Sequence, residues 1–320
     1  MSAMESIMEA LYVGFVGLAG ISMGSLIVLM IGHLMSEHWL APIRAEVEAA
    51  ALTMPLLLVL GVPLAFGLDQ LFPWVGERGN LPPMRAAFLG TGFFLARSVL
   101  YLLVCAGMAF WLIRTRHVRR VSGVGLALLT PVISFASYDW VLSREPHWWS
   151  SLFGFAFGLA QVLAALAGAI LVNFLKPVPT SPLRMSSLER ALLTLALLTV
   201  WTWFAQFIIV WLANLPEGAG WYLRRSDPWN LRLLTISYLL MLGAIVVLIP
   251  SGVSRAAMLG GSALVLLYHG SHTLWVLQPQ GGLSWMETGL VLGTICLWIA
   301  VFVVVMRMRP SYDEEASSEP

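Results

Sequence analysis

The sequence predicts an all-α protein: a polytopic integral membrane bundle of about nine transmembrane helices, arranged as two four-helix bundles plus an extra span. Two observations carry this. Hydrophobic residues make up 59% of the chain and charged ones 11%, against roughly 25% charged in soluble domains, and the mean hydropathy is +0.83. Apolar runs of roughly 18 or more residues recur along the whole length, each long enough to cross a hydrocarbon core of about 30 Å as helix.

In chain order the spans fall near residues 10–33, 48–68, 90–112, 121–138, 151–174, 188–213, 231–250, 255–276 and 285–306. The first carries Gly14, Gly17, Gly20 and Gly24 on one side, a spacing that lets another helix backbone approach closely. The second and fourth contain Pro63 and Pro131, where a kink is expected. The fourth is short and runs straight into Asp139. The fifth repeats the small-residue device with Gly154, Gly158 and Ala165. Pro42, Pro73, Pro82, Pro83, Pro146, Pro177, Pro216, Pro228 and Pro279 stand at span edges, where a helix should stop. The longest segments between spans, near 69–90 and 214–230, are about twenty residues each. They leave no room for a separate soluble domain, so residues 1–309 form one membrane unit. The polar tail, 310–320, reads as disordered.

Composition narrows function. The net charge is +1, which points away from nucleic acid. Cys105 and Cys296 are the two cysteines. Both lie in apolar runs and read as buried small hydrophobes, and an iron–sulfur cluster needs about four thiolates. The acidic opening and the long apolar run after it do not read as a cleavable signal peptide. Basic residues orient the bundle. Alternating loops put eleven Lys and Arg on one side, among them Arg114, Arg116, Arg119, Arg120 and Lys176. Six stand on the other: Arg78, Arg85, Arg144, Arg224, Arg225 and Arg232. The richer side is assigned to the cytoplasm, which places the N-terminus outside and the C-terminus inside.

On the outer side an unusual set gathers. The second span ends at Asp69, the fourth at Ser137-Tyr138-Asp139-Trp140, and the sixth at Asn214-Leu215-Pro216-Glu217. The loop between the fourth and fifth spans reads Ser143-Arg144-Glu145-Pro146-His147-Trp148-Trp149. A quinone head needs a flat apolar slot, hydrogen-bond partners at its oxygens and a proton path to water. A carboxylate and a histidine near the interface suit that role. The bland alternative is an aromatic belt with solvated loop charges. Arg97, seven residues into the third span, either snorkels outward or pairs with Asp139 or Glu217. His269 and His272 share a helix face and serve either proton relay or helix locking. Gln161, Gln206, Ser237 and Tyr238 either extend a polar track or act singly as helix–helix glue. A bis-histidine haem needs two imidazoles on facing helices at one depth, and the six histidines are not so placed. No inverted repeat marks a transporter.

These residues resemble a known family. Gly24 to Leu34 followed by Trp39, Ile43-Arg44 and Glu48, the stretch from Gly61 through Pro63 to Asp69 and Trp74, and Phe94 to Tyr101 are similar to core helices of the ActF subunit of bacterial alternative complex III. So are Asp139-Trp140 to Glu145-Pro146-His147-Trp148 and Trp211 to Asn214-Leu215-Pro216-Glu217. The resemblance covers roughly residues 10–306 and extends to the wider NrfD-like, polysulfide-reductase-like membrane subunits. It implies a multi-subunit quinol:electron-acceptor oxidoreductase in the bacterial inner membrane. Haem c and iron–sulfur clusters would then sit in partner subunits, a multihaem cytochrome c and an iron–sulfur protein, beside a related helical subunit. The ActF-type member holds no redox centre and is described as contacting quinone or conducting protons. Asp139, Glu145, His147 and Glu217 match the family's pattern. Departures are nine spans against a usual ten, Gly32 where a histidine often precedes His33, and His272 where an aspartate often stands. The expected function is therefore a non-catalytic membrane subunit of such a complex, with Asp139, Glu145, His147, Arg97, Glu217, Asp69, His269 and His272 as quinone or proton-relay candidates. The rivals are a purely structural anchor and a small-solute transporter.

Overall fold

The computed structural model describes residues 3–35, 39–176, 182–214, 216–249, 254–278 and 282–308; the tail 310–320 lies outside them. Fourteen α-helices follow in order. They are α1 (Ala3–Leu34), α2 (Arg44–Ala51), α3 (Met54–Phe66), α4 (Leu68–Leu71), α5 (Trp74–Glu77), α6 (Pro83–Phe88), α7 (Thr91–Leu112), α8 (Val118–Trp140), α9 (Phe153–Leu175), α10 (Pro182–Ala213), α11 (Pro216–Leu223), α12 (Pro228–Leu248), α13 (Arg255–Leu277) and α14 (Trp285–Arg307). No strand occurs among the described residues.

Helix packing closes two rings. α1, α3, α7 and α8 form one four-helix bundle; α9, α10, α12 and α13 form the other. The bundles join where α9 packs on α1 and α8, and α14 is the extra span, lying on α1 and α2. α1 is apolar on every face because neighbours surround it: from Leu18 to Met30 nearly every residue is buried. A helix apolar all round belongs in a core.

Among the described residues, eight crossings are long and apolar enough to span a bilayer. α13, 23 residues long, is more polar because Tyr268, His269, Ser271 and His272 interrupt its apolar run. It still traverses the whole bundle. Arg255 at its start donates to the Phe174 and Lys176 carbonyls at the end of α9. At its other end the Trp275 and Val276 carbonyls accept from Arg225 and the Leu277 carbonyl from Arg144. Buried between α9 and α12, it meets less lipid than the outer helices. α14 runs parallel to α1, since Thr294 lies against Gly14 and Trp298 against Ser22. The start of α1 and the end of α14 therefore face opposite sides.

Local details depart from the sequence reading. The second crossing breaks at Leu52–Thr53, ahead of Pro55 in the first turn of α3, while Pro63 sits within α3 and Pro131 within α8. Pro55 brings no N–H to the helix ladder, so the break costs least there. The segment 69–90 folds into α4, α5 and α6. Of the four glycines expected to line one side of α1, Gly14, Gly20 and Gly24 are close-packing sites: a Cβ at Gly24 would overlap the Gln161 backbone. Gly17 has nothing within 4 Å of a Cβ position. Cys105 is buried as expected, but Cys296 is exposed, because α14 covers α1 with one side and turns the other outward.

Candidate functional site

The ionic residues of the expected outer face collect at one end of the bundle, where α1 starts and α8 and α13 end. Two helices position the central pair. Arg97 on α7 meets Asp139 on α8 fork to fork, Nε donating to Oδ2 at 2.8 Å and Nη2 to Oδ1 at 2.7 Å. Tyr101, one turn beyond Arg97, donates its hydroxyl to Oδ2 at 2.8 Å. Asp139 is 0% exposed, so three charge-assisted or polar bonds offset its desolvation. Arg97 also donates to the Phe88 carbonyl at 2.9 Å, and its guanidinium lies 3.9 Å and 4.2 Å from the Phe88 and Phe93 ring centres. Pairing, rather than snorkelling, settles this arginine.

The turn after α8 extends the network. The Ser143 hydroxyl donates to the Asp139 carbonyl and accepts from Trp74 Nε1. Arg144 pairs with Glu9 on α1, stacks 4.7 Å over Tyr12 and caps the Leu277 carbonyl at 3.2 Å. Glu145 is held by Arg224 Nε at 2.8 Å and by Arg225 at 2.6 Å. Arg225 is 4% exposed and donates to the carbonyls of Trp221, Trp275 and Val276. Burial pulls its pKa down to about 10, against the opposing pull of Glu145, and it stays charged at neutral pH. Trp148 donates to the Gly218 carbonyl at 3.0 Å and stacks on Trp221 at 5.1 Å, pinning α11 to the same loop.

Of the expected site residues, Asp139, Arg97 and Glu145 join this network. His147 does not: it is exposed and 3.8 Å from Glu77, which is also exposed. Asp69 is exposed on α4. Glu217 lies in α11, and its side chain falls outside the described residues. His269 and His272 are buried deeper, each with Nε2 lacking a hydrogen-bond partner. The His272 ring packs among Tyr268, Trp203 and Trp275, 4.6 Å from Trp203. The polar residues of the interior form separate groups. Ser237 bonds Ser271 at 2.8 Å, Gln206 bonds Ser150 and Tyr222, and Tyr238 is partly exposed. Gln161 has no amide partner and borders a cavity of about 20 Å³ together with Ser137 and Trp140, room for about one water.

Sequence reading missed Glu9, Tyr101, Arg224 and Arg225 as members of the network. The two arginines looked like loop charges. The usable signal was their position, one residue past the Trp221-Tyr222 pair in a segment too short to leave the bundle. An apolar crevice of about 290 Å³ lies between α1, α3 and α7, walled by Tyr12, Phe15, Gly61, Phe94, Ser98 and Trp140 among others. Trp140 Nε1 donates to Ser98 Oγ at 3.0 Å, and Tyr12 donates to the Trp140 carbonyl at 2.8 Å. The Ser98 hydroxyl keeps its own proton to offer. Among the described residues no three His, Cys, Asp or Glu side chains converge to hold a metal ion.

Fold and site together define a multi-pass α-helical membrane protein with an ion-paired end. No protein-family model matches the chain, and no curated protein matches its sequence.

Proposed function

We propose that the chain is a membrane subunit of a bacterial respiratory quinol:electron-acceptor oxidoreductase of the alternative complex III type, which contacts quinone and receives its protons without a redox centre of its own. One observation carries the reading. Ser98 and Trp140, the sequence neighbours of the buried Arg97–Asp139 pair, stand in the wall of the crevice between α1, α3 and α7. At about 290 Å³ it lies at the small end of ligand pockets, enough for a ring-sized head. Val62, Phe66 and Val99 in the same wall are exposed, which offers access from the bilayer.

A quinol becomes a quinone by losing two electrons and two protons. In this reading the electrons pass to haem c or iron–sulfur centres in partner subunits, and the protons pass to water through the carboxylate end. Ser98 offers a hydrogen bond to a quinone oxygen. Asp139 is the proton acceptor, and Arg97 stabilises it before and after. The membrane is the bacterial inner membrane, with the start of α1 outside.

Of the residues that resemble ActF-type subunits, Arg97, Asp139, Ser143, Arg144, Glu145 and Trp148 belong to the network, which supports the assignment. A second reading, a structural anchor for redox subunits, is favoured by the saturation of Asp139, Arg144, Glu145 and Arg225. Asp139→Asn in the purified complex separates the two. Quinol oxidation and proton release falling at least tenfold with the assembly intact supports quinone contact; unchanged turnover leaves the anchor.

A further inference from the structure

A larger cavity shares no lining residue with the α1–α3–α7 crevice. It measures about 700 Å³ and runs between α1, α9, α13 and α14. Its walls extend along α14 from Thr288 to Val303, about 22 Å at 1.5 Å per residue, so the space is long as well as large. Small residues keep it open. Gly17 and Gly270 line it, and at neither does a Cβ position find an atom within 4 Å. α13 packs on α9 and α12, while α14 packs on α1 and α2. The gap between α13 and α14 thus faces the bilayer, and Leu292 and Ile299 at its border are exposed.

The lining is apolar apart from a few groups. His269 lines it, is 6% exposed, and has no partner at Nε2. Thr273, one turn on, stands in the same wall. Near the other end, Glu46 is 1% exposed; one of its oxygens pairs with Lys176 and the other has no partner. An empty space of this size lined by hydrocarbon forfeits dispersion contacts, and buried polar atoms without partners cost free energy. An occupant with a hydrocarbon chain and a small polar head fills the space and gives His269 a partner.

We propose that this cavity binds one long-chain membrane lipid, which enters between α13 and α14 and lays its hydrocarbon chain along Gly17 and Gly168. Its small polar head hydrogen-bonds to His269 and Thr273. The site is separate from the α1–α3–α7 crevice and does not rest on the quinone reading. Its chemistry suits a fatty-acyl or an isoprenoid chain, and the test distinguishes them.

The full chain is reconstituted in nanodiscs with either a diazirine-bearing palmitate or a diazirine-bearing isoprenoid quinone, irradiated, digested and mapped. Label on the α13 and α14 segments around Gly270–Leu274 and Val291–Ile299 supports the site, and the productive probe names the chain type. Gly17→Phe fills the cavity and cuts that label at least tenfold. Gly270→Leu does the same from the opposite wall and serves if the first variant folds poorly, as judged by its thermal unfolding midpoint. His269→Ala lowers the label at subsaturating probe and leaves it unchanged at saturation. Absence of label there with both probes, or label undiminished in folded Gly17→Phe and Gly270→Leu, overturns the proposal. Neither result depends on quinol turnover, so it stands or falls apart from the function proposed above.

Discussion

Arg97 and Asp139, 42 residues apart on neighbouring helices, meet through two parallel hydrogen bonds of 2.8 and 2.7 Å. Arg97→Ala strands a carboxylate that is 0% exposed, and breaking a buried pair from one side costs about 3–5 kcal/mol. Arg97→Lys recovers little, because a point charge cannot replace the planar fork. The double variant Arg97→Met with Asp139→Leu regains most of the loss. Thermal and chemical unfolding in mild detergent measures all three; a single-site loss under 1 kcal/mol contradicts the ranking.

Glu145 serves two arginines unequally. Arg224 is 45% exposed at its side chain and Arg225 is 4%. Arg224→Ala changes stability by less than about 1 kcal/mol, as solvent-screened pairs do. Glu145→Ala leaves Arg225 charged and buried, and costs about 3 kcal/mol or more. Equal effects of the two substitutions speak against this division.

Gly24 and Gly107 contrast on steric grounds. A Cβ at Gly24 would meet the α9 backbone, whereas one at Gly107 meets nothing within 4 Å. Gly24→Ala therefore forces α1 and α9 apart, at about 1–3 kcal/mol. Gly107→Ala is neutral or stabilising by about 0.5–1 kcal/mol, since it removes backbone freedom from the unfolded chain. Detergent melting curves of the two variants settle the order.

Asp227 caps α12, accepting from the Trp229 and Asn230 amides and the Asn230 side chain. The Asn230 bond, above all, holds its pKa below the ordinary carboxylate value. The sign follows: the unfolded carboxyl takes up its proton first as pH falls. The cap's contribution is full above the ordinary value and is lost as pH drops through the lowered one. Amide-exchange protection at Trp229 and Asn230, corrected for intrinsic rates, falls over that window. Asp227→Asn keeps the cap and flattens the dependence.

The helical crossings were legible because lipid leaves only long apolar runs and a helix satisfies its own backbone. α13 was legible by position, although its histidines dilute its apolarity. The Arg97–Asp139 pair was foreseeable as one of two options, since a guanidinium inside a span needs a partner or an exit. The remaining network was not. Glu9 and Arg144 lie 135 positions apart, and nothing local in either segment names the other. His147 lies outside the network. Its motif suggested a site residue, yet the turn that buries Trp148 points the preceding residue outward. The break at Thr53 was hidden because Pro55 draws less notice than Pro63 deeper in the same apolar run.

The bonds from Trp298 to Ser22 and Thr53 join the last crossing to the first two, across 276 and 245 positions. During synthesis α1 leaves the ribosome almost a full chain length before α14. Until then the hydroxyls of Ser22 and Thr53 have each other, 2.8 Å apart, to answer the polarity that the indole later completes. A nascent chain stopped short of α14 thus carries α1 and α2 with one flank still facing fat.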